Sequence, residues 1–93
     1  MKITFRAFAS LREIIGADEK TLILPQGEKV KGLLEGLCSA YPRLREHLFD
    51  PTGAIKPYFI ILKNGRNIVS LQQLDTVIDE NDVIALFPPV AGG

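Results

Sequence analysis

The clearest fold signal in this sequence is YFIILKNGRNI, residues 58–68. The apolar run from Tyr58 to Leu62 predicts a buried strand, and Asn64-Gly65 is a dipeptide that two-residue β-hairpin turns favour. The residues after the turn predict a short returning strand. We therefore predict a β-hairpin here and a sheet to which it belongs.

Three further segments have strand patterns, and they are KITFRAF at residues 2–8, TLILP at 21–25 and VIALF at 83–87. The first alternates, with Ile3, Phe5 and Ala7 on one face, as a half-buried strand does. The second ends at Pro25 and is expected to pair with the first in a hairpin with a long loop. A polar turn at residues 79–82 precedes the last strand.

One substantial helix is predicted within GEKVKGLLEGLCSAYP, residues 27–42, where apolar residues recur at helical spacing and Pro42 closes the segment. Gly32 and Gly36 each cost about 1 kcal/mol relative to alanine in a helix interior. Tertiary contact must therefore hold this helix, and we expect the two glycines to allow close packing on the sheet.

The remaining segments are shorter or irregular. In ASLREIIG, residues 9–16, Ser10 and Glu13 have the spacing of a capping box and Gly16 supplies a stop, which predicts a short helix. Residues 43–57, RLREHLFDPTGAIKP, mix polar residues with a DPTG turn signal. They predict a connecting segment.

The predicted order is strand, short helix, strand, long helix, strand, short strand, strand, which indicates one α+β domain with a helix packed across a sheet. Residues 58–62 and 83–87 are apolar at every position, so these two strands need cover on both faces. The helix covers one face. Either the other face keeps an apolar patch that a partner completes, or residues 43–57 fold over it.

Composition and charge exclude several classes of protein. Eleven basic residues balance eleven acidic ones without clustering, which argues against nucleic acid or an anionic membrane as a partner. No apolar run approaches the roughly 18 to 20 residues of a membrane span, and charged residues interrupt the region where a signal peptide would be apolar. A cytoplasmic protein is expected, and the single Cys38, which excludes an internal disulfide, fits a reducing compartment.

Residues that usually carry catalysis are scarce. His47 is the single histidine and lies in a polar connector, which favours a surface histidine over a general base. Cys38 adjoins Leu37 on the long helix, which favours a small buried hydrophobe over a nucleophile. Neither a zinc ligand set, nor a calcium loop, nor a glycine pattern for nucleotides is present. The chain is expected to bind no metal and no cofactor of its own.

The sequence ends in FPPVAGG, residues 87–93, and this tail is the candidate functional segment. Pro88 and Pro89 donate no ladder hydrogen bond and fix φ near −65°, so the strand must stop at Phe87 and the chain must leave extended. At roughly 3.3 Å per residue the tail reaches on the order of 20 Å, enough to enter another protein's active site. Gly92 and Gly93 have no Cβ and fit a channel too narrow for side chains.

The reactive group is then the α-carboxyl of Gly93. Its pKa of about 3.3 to 3.7 makes it an unreactive carboxylate at neutral pH, so it has to be activated. Conversion to an acyl-adenylate by ATP in a partner enzyme would allow a sulfur or nitrogen nucleophile to displace AMP at the same carbon.

Several stretches together resemble a known family, and in chain order they are FASLREIIG, the YP that closes the long helix, NGRNI, LDTVIDENDVIALF and FPPVAGG. They are similar to the ubiquitin-like sulfur carriers of the MoaD/ThiS superfamily, specifically the MoaD type, the small subunit of molybdopterin synthase. The resemblance implies a β-grasp fold: a mixed sheet of about four to five strands on one main helix. The last strand would be central and parallel to the first, with a domain at residues 1–87 and a tail at 88–93.

The resemblance also implies a mechanism in which the chain is a carrier and not itself an enzyme. An adenylyltransferase that resembles ubiquitin-activating enzymes, using ATP and Mg, would adenylate Gly93, and a sulfur donor system would convert it to a thiocarboxylate. The large synthase subunit would then deliver this sulfur to a pyranopterin precursor. The tail residues that would contact these partners are Phe87, Pro88, Pro89, Val90, Ala91 and Gly92, with the apolar strands as a docking surface.

Other functions share the same tail. The chain is also similar to sulfur carriers for thiamine, cysteine or transfer-RNA thiolation, although thiamine carriers are usually shorter and seldom have the double proline. A ubiquitin-like modifier conjugated to lysines is a second class. A β-grasp interaction domain with an inert end is a third.

Overall fold

A computed structural model of the protein describes residues 1–56 and 58–88. Over these residues the chain forms eight helices and strands and two short 3₁₀ helices, at Ile68–Ser70 and Gln73–Asp75. The main elements are β1 (Lys2–Ala7), α1 (Ser10–Ile15), β2 (Glu19–Ile23), α2 (Val30–Ala40), α3 (Pro42–Leu48), β3 (Ile60–Lys63), β4 (Arg66–Asn67) and β5 (Val83–Phe87).

The strands of the described residues form one five-stranded mixed sheet in the order β2-β1-β5-β3-β4. The first and last strands are central and parallel, with Thr4 beside Val83 and Ala7 beside Leu86. The other neighbours are antiparallel. This arrangement confirms the α+β class, the mixed sheet and the central position of the last strand, and it is the β-grasp topology.

The hairpin between β3 and β4 has the two-residue turn at Asn64-Gly65 that the sequence predicts. Asn64 and Gly65 have φ values of 50° and 83°, and a two-residue turn matches the twist of its strands when both central residues have positive φ. Lys63 pairs with Arg66 at the base of the turn. The predicted strand from Tyr58 begins two residues late, at Ile60.

The core lies between the sheet and the helices. Ile3 and Phe5 of β1 and Ile84 and Leu86 of β5 are at most 1% exposed, as alternate residues of one sheet face should be. The apolar face of α2 covers them with Val30, Leu33, Leu34, Leu37 and Cys38. The long helix therefore holds the central strands, as its spacing predicts.

The prediction that residues 43–57 form only a connecting segment is wrong. Pro42 begins α3 at its first turn instead of only closing the preceding helix, because proline has no N–H to donate and the first turn requires none. Leu44 and Leu48, spaced four apart, are fully buried. The helix α3 contacts α2 and α1, so it lies in the helical layer.

The predicted capping box at Ser10 and Glu13 is also wrong. Ser10 is the first helical residue of α1, the N-cap position is Ala9 with φ of 53°, and no side chain caps the helix. The predicted stop at Gly16 is confirmed, since this residue is left-handed and its N–H donates to the carbonyl of Arg12 at 2.8 Å. Glycine favours that conformation because it has no Cβ.

The glycines of α2 do not serve close packing on the sheet. A Cβ at Gly36 would meet nothing within 4 Å, and the residue is exposed. A Cβ at Gly32 would meet the side chain of Glu28, which is flexible. The apolar residues of α2 make the contacts that hold this helix on the sheet. The expectation that the two glycines allow close packing is therefore wrong.

Candidate functional site

The face of the sheet that points away from the helices carries apolar side chains across its centre. Ile84 and Leu86 of β5 are buried under the helices, so the alternate residues of that strand point outward. Residues of β3 lie directly opposite them in the ladder. With the residue that follows β1, they form what we call the outer-face cluster: Phe8, Ile60, Leu62, Val83, Ala85 and Phe87.

The rings of Phe8 and Phe87 stack at the end of this cluster where β5 stops. Their centroids are 4.1 Å apart and their planes are 11° from parallel. The guanidinium carbon of Arg6 lies 5.4 Å from the Phe8 ring centre, within the range of a cation–π contact. Because Phe87 ends β5, the stack fixes the point at which the chain leaves the sheet, and the half-buried Pro88 follows directly.

The outer-face cluster is open to a partner. Ile60 is 45% exposed, and Leu62, Val83 and Phe87 are partly exposed. The helix α3 packs on α1 and α2, so it does not cover this face. Of the two predicted alternatives, the described residues therefore favour the uncovered apolar patch over a segment folded across it.

A polar clamp holds the other end of β5, and it consists of Lys63, Asn64, Asp79 and Asp82. The Asn64 side chain donates to Asp82 and accepts from the N–H of Val83, both at 2.8 Å. The Asp79 N–H donates to Asp82 at 2.7 Å. The Lys63 ammonium lies 3.3 Å from Asp82 and 2.8 Å from Asp79. The clamp therefore joins the β3–β4 hairpin to the turn that starts β5.

The protonation of the clamp follows from these contacts. Burial alone would raise the pKa of Asp82, but hydrogen bonds from the Asp79 N–H, Asn64 and Lys63, with the Lys63 charge, outweigh burial and hold this pKa below its usual range. The hydrogen bond to Asp79 is the main cause that raises the pKa of Lys63, against the opposing effect of burial. Lys63 and Asp82 are thus both charged at neutral pH.

His47 is at the surface and Cys38 is buried, as the sequence predicts, although His47 lies on α3 and not in a connecting segment. His47 is exposed, and its Nδ1 is 3.1 Å from the carbonyl oxygen of Arg43. Cys38 is 2% exposed, and burial is the main cause that raises the pKa of its thiol. A buried thiol with a raised pKa carries little thiolate, so Cys38 is a packing residue and not a nucleophile.

The predicted tail lies mostly beyond the part of the chain that the structure describes. Phe87 and Pro88 are described, whereas Pro89, Val90, Ala91, Gly92 and Gly93 lie outside the described residues. Their roles stay predictions. Phe8 was not predicted as a site residue, although it is the apolar exception on the polar face of KITFRAF.

A central parallel pair of first and last strands, a helix across one face and an apolar outer face leading into a diglycine sequence define the ubiquitin-like class. The chain belongs to the ThiS family, whose model matches residues 5–93. Members of this family are small ubiquitin-like sulfur carriers and modifiers. The assignment confirms the resemblance to the MoaD/ThiS superfamily that was found in the sequence.

Three comparisons illustrate this relationship. The chain is 36% identical to the small archaeal modifier protein 3 of Haloferax volcanii, with all of both chains covered. It is 32% identical to the molybdopterin synthase sulfur carrier subunit of Dictyostelium discoideum, covering 92% of this chain and 90% of that one. The crystal structure of SAMP1 from Haloferax volcanii superposes with a TM-score of 0.88 at 28% identity, again over both whole chains.

None of the helices in the described part of the chain combines the length and the apolar character that crossing a bilayer requires.

Proposed function

We propose that this protein is a sulfur carrier that works through the α-carboxyl of Gly93 and serves molybdopterin synthesis as the small synthase subunit. The observation that carries the proposal is the continuity of the outer-face cluster with the double proline and glycine pair that follow it. The named sulfur carrier subunit among its relatives supports the pathway. The carrier itself supplies no catalytic group, and the reaction takes place in its cytoplasmic partners.

The chemistry requires two steps at one carbon. In the first, a carboxylate oxygen of Gly93 attacks the α-phosphorus of ATP in an adenylyltransferase, and pyrophosphate leaves. In the second, hydrosulfide released by a sulfur donor system attacks the acyl carbon, AMP leaves, and the S–H proton is lost to solvent. The product is a thiocarboxylate, whose sulfur the large synthase subunit transfers. ATP and Mg belong to the activating partner.

The outer-face cluster is the proposed docking surface for both partners in turn. It is apolar, partly exposed and adjoins Pro88, so a protein bound there holds the start of the tail at a fixed place. The stacked Phe8 and Phe87 rings give this place a rigid base. Aromatic side chains are enriched among the residues that supply most of the binding free energy of an interface.

Intact-mass spectrometry tests the proposed reaction. Incubation with the adenylyltransferase, ATP, Mg and a sulfur donor should replace one oxygen of the chain by sulfur, and the untreated mass establishes that Gly93 is the final residue. Gly93→Ala should retain the fold and fail to gain sulfur, while Val90→Ala, which keeps the glycine pair, should gain it. Equal conversion of the Gly93→Ala variant would refute the proposal.

The pathway is tested by the acceptor. If the thiocarboxylated chain converts the pyranopterin precursor in the presence of the large synthase subunit, the molybdopterin role stands. Sulfur transfer only in thiamine, cysteine or transfer-RNA thiolation assays would reassign the same carrier chemistry to another pathway.

A protein modifier is the second candidate, and it is favoured by the 36% identity to a small archaeal modifier protein. In that function a lysine amine instead of sulfur displaces AMP, and an isopeptide bond forms at Gly93. Capture of tagged protein from cells separates the two functions. Thiocarboxylate at Gly93 supports the carrier, and Gly93 joined to lysines of other proteins supports the modifier.

A further inference from the structure

The strand β2 is an edge strand whose outward backbone groups have no partner within the described chain. Thr21 and Ile23 lie opposite Thr4 and Lys2 of β1. Those two residues turn their backbone groups toward the turn at residues 79–82, since the Thr4 N–H donates to it at 2.9 Å and the Lys2 carbonyl accepts from it at 2.8 Å. In an antiparallel ladder, residues opposite each other at such positions both point away from the shared ladder. The N–H and C=O groups of Thr21 and Ile23 therefore face the open edge.

The side chains along this edge leave it accessible. Ile23 is 76% exposed, more than any other large apolar residue of the described chain, and Thr21 is exposed as well. Both residues are β-branched and suit a paired strand. Open edges of this kind are usually protected by charge, a bulge or a covering segment. Here the two charged residues of β2 are engaged within the chain: Glu19 pairs with Arg6 at 3.7 Å, and the Lys20 ammonium lies 5.5 Å from the centre of the Tyr41 ring.

We propose that β2 is a self-association edge, through which two copies of this chain join their sheets antiparallel about a two-fold axis. The axis passes between the Leu22 residues of the two copies. Ile23 of each copy then lies opposite Thr21 of the other, and each such pair exchanges both of its backbone hydrogen bonds. Two five-stranded sheets become one continuous ten-stranded sheet.

The second copy fits because this register is self-complementary. It pairs Ile23 with a β-branched residue on the outer face and Leu22 with its own counterpart on the inner face, while Lys20 meets Leu24 and no like charges are opposed. Two other two-fold registers are less suitable. With Thr21 on the axis each Ile23 lies against Glu19, and with Ile23 on the axis each Thr21 lies against Pro25, which has no N–H to donate. Apolar and β-branched pairs stabilise a sheet, so the first register is favoured.

The position of the edge keeps this association compatible with other contacts. In the sheet order, β2 is separated from β5 by β1, so the outer-face cluster stays accessible in both copies. The dimer would present two such clusters on one continuous face.

Sedimentation velocity over a concentration series tests the proposal. The protein should form a dimer, and Thr21→Pro should raise its dissociation constant at least ~10-fold. This change removes one outward N–H from each copy, so the dimer loses two hydrogen bonds. Ile23→Lys, which keeps the backbone intact, should weaken the dimer similarly. Val69→Lys is the matched control, because Val69 is 70% exposed outside the edge. A chain that stays monomeric at millimolar concentration, or a dimer unaffected by both edge variants, would overturn the proposal.

Disulfide trapping tests the register. Leu22→Cys should give a covalent dimer on mild oxidation, because the two side chains face each other across the axis at a non-hydrogen-bonded pair. Glu19→Cys should not, since the proposed register separates the two copies of that residue. The unsubstituted chain serves as the blank, its Cys38 being buried. Cross-linking of Glu19→Cys without Leu22→Cys would show the proposed register to be wrong.

Discussion

Replacing Asp82 by asparagine should destabilise the protein through the polar clamp, although the change keeps the shape of the side chain. The Asp82 side chain is 8% exposed and accepts hydrogen bonds from the Asp79 N–H at 2.7 Å and from Asn64 at 2.8 Å. An amide has one oxygen, so one of these donors must face an NH₂ group. The Lys63 ammonium, 3.3 Å away, also loses one of its two carboxylate neighbours.

The magnitude follows from the kind of contact that is lost. A hydrogen bond to a charged group contributes about 1.5 to 3 kcal/mol, and a donor left unsatisfied in a buried place costs a similar amount. Asp79 remains beside Lys63 and limits the loss. We therefore expect Asp82→Asn to lower the free energy of unfolding by about 2 to 3 kcal/mol at pH 7, a shift in Tm on the order of 10 to 20 °C for a domain of this size.

The contribution of Asp82 to stability should depend on pH. The folded pKa of Asp82 lies below its usual value, so its contribution is fully present above the unfolded pKa of about 3.9 and is lost as the pH falls through the folded pKa. The stability difference between the two proteins should therefore be largest at neutral pH and should shrink below about pH 4.

Urea unfolding at pH 7 and at pH 3 measures the loss in free energy of unfolding and its dependence on pH. The m-values of the variant and the unsubstituted protein should be equal. Asp18→Asn is the matched control, because the Asp18 side chain is 72% exposed and pairs with Arg12 at the surface. That change should stay within about 0.5 kcal/mol. A loss below 0.5 kcal/mol for Asp82→Asn at pH 7, or a difference that is the same at both pH values, would refute the reasoning.

Three further experiments test packing, backbone conformation and thiol burial. Leu48→Ala should cost about 2 to 5 kcal/mol in urea unfolding, because Leu48 is fully buried in the core, while Glu46→Ala on the exposed side of α3 should be near neutral. Gly16→Ala should lower the free energy of unfolding by about 1 kcal/mol, because φ is 85° at this residue. Gly36→Ala should stabilise α2 by up to about 1 kcal/mol, because no atom lies near the added Cβ. Equal effects of the two substitutions would contradict this. Cys38 should react with a thiol reagent only as the chain unfolds, so rapid labelling of the native protein would disprove its burial.

The sheet could be predicted from the sequence because its signals are local. The alternation of Ile3, Phe5 and Ala7 shows one buried face, and Asn64-Gly65 supplies the two positive φ angles of a tight turn. The last strand has the predicted bounds, since two prolines follow it and cannot extend a ladder. The parallel pairing of the first and last strands followed from the resemblance and not from any local pattern.

The helix α3 was missed because its local signals conflict. Its seven residues contain only two apolar core residues, Leu44 and Leu48, between charged ones, and Pro42 also fits a helix end. The polar clamp could not be predicted from the sequence, for a different reason. Lys63 and Asp82 come together only when β3 and β5 pair, and neither residue has a sequence neighbour that reveals the other.

The parallel pairing of β1 and β5 also determines when the domain can be completed during synthesis. Thr4 has its ladder neighbour at Val83, so an emerging chain cannot close the middle of its sheet until residue 83 has left the ribosome. Contacts between such distant residues make folding slow relative to local pairing. The glycine pair follows β5 closely in the sequence, so it is translated just after the strand that completes the sheet.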